Sequence, residues 1–102
     1  MRELNEAELD ALINEAIVDA YSEDEQMAGF AVMIGDNLAV PFETTVLGVT
    51  VTVEEVDQTG SGIVAICVRG KDRQAIPILD LPLPDPPPRG AEWIAAYGRW
   101  AG

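Results

Sequence analysis

The sequence predicts an α+β fold: two N-terminal helices packed on a small bent antiparallel sheet or SH3-like barrel, then a proline-rich strap and a short C-terminal helix. Three observations carry this. Between Thr44 and Leu79 lies the chain's one long β-forming region, in which Val49, Val51 and Val53 alternate with Thr50, Thr52 and Glu54. That period of two sets one face in a core and the other in water. Two helix-start signals, Asn5 with Glu8 and Ser22 with Glu25, each precede apolar residues at helical spacing. The apolar runs of the β region are joined by short glycine-bearing turns, so neighbouring strands are expected to be antiparallel. At 102 residues the whole chain, 1–102, reads as one domain.

In chain order, Asn5 is the expected cap of a first helix whose stripe is Leu9, Leu12, Ile13, Ala16, Ile17, Ala20 and Tyr21. That stripe is expected to cover the sheet, with Glu6, Asp10, Asn14, Glu15 and Asp19 turned mostly to water. Ser22 caps a second helix carrying Met27, Phe30, Ala31 and Ile34 on one side and stopping near Gly35. In the β region, Gly48 can supply a bulge or tight bend. Turns fall at 58–62 and 69–72, and Pro77, which cannot donate to a ladder, places the last strand at an edge or a bulge. Leu81 to Pro88 must run as extended polyproline II, a stiff strap across the domain. Trp93, Tyr97 and Trp100 form an aromatic stripe on a last helix over 91–100 and are expected to reach the core.

Charge narrows the function. The net charge is −12, and from Glu3 to Val68 there are 14 carboxylates without a single Lys or Arg. Such a chain repels nucleic acid and anionic membrane and attracts cations or basic partners. The polar N-terminus and the lack of a long apolar run point to a cytoplasmic protein without a leader or a membrane span. Histidine is absent and Cys67 is the one cysteine, so neither a disulfide within the chain nor zinc, haem or iron–sulfur ligation is supported. No nucleophile motif, phosphate loop or dinucleotide turn is present, and a non-enzymatic role is expected.

Hard oxygen donors are what remain, and they suit Ca²⁺. No EF-hand pattern occurs, so a site must be assembled from separated segments. Asp36 and Asn37 follow the end of the second helix, where a carboxylate meets carbonyls that already carry partial negative charge, a term of about 0.3–1 kcal/mol in the wrong direction. Glu43 stands at the entrance to the sheet and Asp80 follows its last strand, among apolar neighbours that would partly bury it. Asp36, Asn37, Glu43 and Asp80 are the first candidate set. Glu23, Asp24 and Glu25 are the second; they either collect a divalent cation or simply favour their helix N-terminus.

The succession Glu25-Gln26, then Met33 to Thr44, then Val46 to Val49, resembles the CcbP-type (cyanobacterial-type) calcium-binding proteins. Gln74 to Leu81 and Trp93 to Tyr97 continue the resemblance in the same order. It implies a small acidic protein that binds Ca²⁺ without EF-hands, in calcium signalling and buffering. A reading from a different class stands beside it: an acidic protein-interaction module, without a metal, whose face meets a basic protein partner.

Overall fold

A computed structural model describes residues 4–102. The polar N-terminus on which the absence of a leader was read, Met1 to Glu3, lies outside them. Helix α1 spans Glu6–Ala16 and α2 spans Glu23–Asn37. Strands β1 (Phe42–Val46), β2 (Val49–Thr59), β3 (Gly62–Arg69) and β4 (Asp72–Pro77) follow, then a 3₁₀ turn at Ile78–Asp80 and helix α3 over Ala91–Ala101. The fold is therefore α+β.

Both helix starts form where the local sequence sets them. Asn5 Oδ1 accepts from the Glu8 amide at 2.8 Å while Glu8 Oε1 accepts from the Asn5 amide, a complete capping box. Ser22 Oγ accepts from the Glu25 amide at 3.1 Å. The expected stripe of α1 is too long, however. The helix ends at Ala16, Asp19 takes a left-handed φ of 63°, and Tyr21 is 89 % exposed rather than packed. The principal neighbours of α1 are α3 and α2, so it reaches the sheet through them. Arg99 Nε donates to Asp10 Oδ1 at 2.9 Å across the α1–α3 seam, and this bond holds the guanidinium pKa above its ordinary value. The crossing of α1 and α2 is close enough that a Cβ on Gly29 would lie 2.1 Å from the Ala16 carbonyl oxygen.

The sheet is an antiparallel meander in the order β1-β2-β3-β4. Phe42 pairs with Val53, Val53 with Cys67 and Cys67 with Gln74, and the register shifts between Val53 and Glu55. All three connections are two-residue hairpins: Leu47-Gly48, Gly60-Ser61 and Gly70-Lys71. Gly48 thus ends a strand instead of bending one; Leu47 and Gly48 both have positive φ, 50° and 79°, the backbone of a type I′ turn. Of the two expected closures, the open sheet is the one formed. β1 and β4 remain at opposite edges and no barrel closes. The physical reason is visible at each edge. β1 is five residues long and meets the strap, its Thr44 hydroxyl donating to the Pro82 carbonyl. β4 stops at Pro77, and the chain turns away into the 3₁₀ segment.

α2 lies on β2 and β3, and α3 lies on α2. Phe30, Ile34, Val53 and Ile78 are fully enclosed between these layers. Trp93 and Tyr97 are buried, and Trp100 is half-buried with its indole N–H donating to Gln26 Oε1 at 3.0 Å. Phe30 stands 5.6 Å from Tyr97 and 5.2 Å from Trp100 between ring centroids, so the aromatic stripe does pack into the core.

Candidate metal centre

α2 runs two residues past the expected stop at Gly35, which places Asp36 and Asn37 in its last turn. Asn37 turns its amide back on the helix, Nδ2 donating to the Met33 carbonyl at 2.7 Å, and the Leu38 amide donates to the Ile34 carbonyl at 2.8 Å. The next donor in line, the Ala39 amide, leaves the helix altogether and bonds the Arg89 carbonyl at 2.7 Å. The carbonyl oxygens of Gly35, Asp36 and Asn37 are thereby left without a donor among the described residues. Asp36, in the same turn, is exposed and makes no ion pair among the described residues. No basic residue occupies the last turn of α2.

The partner of this helix end comes from fifty residues away. Gly90, with φ 92°, caps α3 directly against it; a Cβ there would lie 2.2 Å from the Asn37 carbonyl oxygen and 2.6 Å from the Leu38 nitrogen. Arg89 is brought along as a main-chain acceptor, while its side chain is exposed and makes no ion pair among the described residues. The oxygens at this helix end are those of the Asp36 carboxylate, the main-chain carbonyls and the Asn37 side-chain amide. All are hard oxygens, and they suit Ca²⁺ in kind.

The other candidates stand apart from that end. Glu43 is exposed on β1 and lines a crevice of about 440 Å³ with Thr45, Thr50 and the strap residues Pro82, Leu83 and Pro84. Asp80 ends the 3₁₀ turn and is exposed rather than partly buried, because the core takes Ile78 and leaves Leu79 and Asp80 outside. It lines a second crevice with Thr59, Ser61 and Tyr97, near the β2–β3 hairpin. Glu23, Asp24 and Glu25 form the exposed first turn of α2, at the opposite end of that helix from Asp36. Among the described residues no three acidic or cysteine side chains converge on one point. That the last carbonyls of α2 stay without donors rests on the long-range Ala39–Arg89 bond, which residue types alone could not reveal; that a helix end offers such carbonyls was already implied by an acid at a helix C-terminus.

No curated protein and no solved structure matches the chain. A family model does: residues 10–101 match CcbP, described as calcium binding. That span runs from within α1 to the end of α3 and takes in every strand. The chain belongs to the CcbP calcium-binding family.

Proposed function

We propose that this protein is a cytoplasmic Ca²⁺ buffer or sensor, without catalytic activity, whose ion is held by a site unlike an EF-hand at the C-terminal end of α2. The observation that carries it is an acid at the wrong end of a helix: Asp36 is exposed in the same last turn as three carbonyls that lack donors, and no cation pairs with it, among the described residues. A divalent cation there reverses the sign of every one of those interactions. Asp36 supplies the charge, and Asn37 and the carbonyls supply neutral oxygens. Glu43, on β1, and Asp80, after β4, line crevices apart from this end and add negative charge around the ion rather than first-contact ligands. Ordered water completes the shell of a Ca²⁺ ion, which takes six to eight oxygens at about 2.3–2.6 Å. Glu23, Asp24 and Glu25 form a second, weaker site, since the dipole of their own helix end already favours them.

The exposed carboxylates of α1 and α2 also support the second reading, an acidic face for a basic protein partner. A thermal melt separates the two. A ligand that binds only the native state raises its stability by about 2.7 kcal/mol at a hundredfold excess over Kd. Millimolar CaCl₂ should therefore raise Tm well beyond an equal ionic strength of NaCl. An identical Tm in the two salts would leave the interaction module as the better account.

A further inference from the structure

The β1–β2 and β3–β4 hairpins lie at the same end of the sheet, because Thr52 pairs with Val68 and Val51 with Thr44. That end differs from the rest of the molecule in three ways. Leu47, at the tip of β1–β2, is 99 % exposed. Its φ of 50° is left-handed, a region that costs most side chains about 1–2 kcal/mol and that Asn or Gly would occupy with less strain. Neither hairpin geometry nor core packing accounts for leucine there. Leu47 also forms one wall of a cavity of about 290 Å³ whose floor is Val46, Val49, Val51, Cys67 and Ile76, and no helix residue lines it. Arg69 and Asp72 stand on its rim with opposite charges.

Charge indicates what can meet this end. Three of the six basic residues, Arg69, Lys71 and Arg73, belong to the β3–β4 hairpin, where Asp72 is the lone acid, and residues 44–53 carry no charge at all. A second copy approaching almost any other surface would meet several carboxylates; here it would meet one, Asp72, set among Arg69, Lys71 and Arg73. We propose that this end is a self-association surface, on which two copies meet about a twofold axis. Leu47 of each copy enters the cavity of the other, and Arg69 faces Asp72 across the contact. A knob, a hole and charges of both signs on one patch are what an isologous contact requires. The patch is small, so the dimer is weak and reversible.

The test is sedimentation of the full chain from about 10 μM to about 1 mM, a range that covers interfaces below standard size. The expected result is a concentration-dependent shift from monomer to dimer that strengthens with added NaCl, because salt screens the repulsion between two bodies of charge −12. Leu47→Asn should weaken the dimer at least tenfold and keep or raise the Tm of the monomer, because Asn accepts the left-handed backbone. Unfolding cannot then explain the loss. A monomer throughout the concentration range overturns the proposal. So does Leu47→Asn dimerising as tightly as the parent, which would put the contact elsewhere.

Discussion

Replacing Gly90 by alanine should damage this protein more than any other single methyl group, because two independent penalties meet there. The residue holds φ at 92°, and the left-handed region costs a side chain about 1–2 kcal/mol. The added Cβ would also stand 2.2 Å from the Asn37 carbonyl oxygen and 2.4 Å from its carbon, both rigid main chain, so the strap or the end of α2 must move. Overpacking of that kind adds about 1–3 kcal/mol. The sum is about 2–5 kcal/mol, which for a domain of this size lowers Tm by about 10 °C or more. Two other glycines separate the terms. Gly48 shares the positive φ, 79°, but has open space around it, so Gly48→Ala should show the backbone term alone. Gly29 lies inside α2, where alanine is the better helix former by about 0.5–1 kcal/mol, yet its Cβ would meet the Ala16 carbonyl at 2.1 Å. Net destabilisation by Gly29→Ala is therefore the steric conflict less that propensity gain, and so a lower bound on the conflict. Urea unfolding followed by circular dichroism gives all three values. Gly90→Ala costing no more than Gly48→Ala would refute the close seating of the strap against the end of α2.

Three further outcomes are expected. Asp36→Asn should weaken Ca²⁺ binding tenfold or more, about 1.4 kcal/mol, while the metal-free protein stays as stable or gains slightly, since a repulsion with the helix end is relieved; calorimetry and a melt without calcium read the two effects. Calorimetry should also show Ca²⁺ bound more tightly than Mg²⁺, because a mixed set of one carboxylate, neutral oxygens and water fits a large, adaptable coordination sphere better than a rigid octahedron, and equal affinities would count against a dedicated calcium site. Burial pushes the Cys67 thiol pKa up. The unfolded thiol ionises first, so its contribution to stability is complete below about pH 8.5 and declines above it; Cys67→Ala should flatten that part of the stability–pH curve, and an unchanged slope would contradict the burial.

What the sequence made legible was mainly what lies within four residues. The Asn5–Glu8 and Ser22–Glu25 pairs, the period of two in Val49 to Val53 and the periodicity of Trp93, Tyr97 and Trp100 are all local, and each forms as expected. Failures came where local preference yields to something else. Tyr21 continues the apolar spacing of α1, but Asp19 turns left-handed and breaks the helix without a Gly or Pro to mark it. Leu47-Gly48 does not read as a hairpin, because leucine is a poor residue for its position. Asp80 looks enclosed among apolar neighbours until the 3₁₀ turn directs Ile78 alone inward. For the candidate site, the misplaced charge of Asp36 and the carbonyls of its helix end were readable, and what keeps those carbonyls free was not. Their free state depends on Ala39 bonding to Arg89 and on Gly90 packing against Asn37, contacts between residues fifty positions apart.

The claim that calcium sits at the C-terminal end of α2 is tested most directly by following every backbone amide through a Ca²⁺ titration by NMR. The account predicts saturable shifts concentrated from Gly35 to Ala39 and at Arg89 and Gly90, which share the hydrogen bond and the close contact at that helix end. Smaller shifts should follow at Glu43 and Asp80. Shifts centred on Glu23 to Glu25, with the far end of α2 undisturbed, would contradict it.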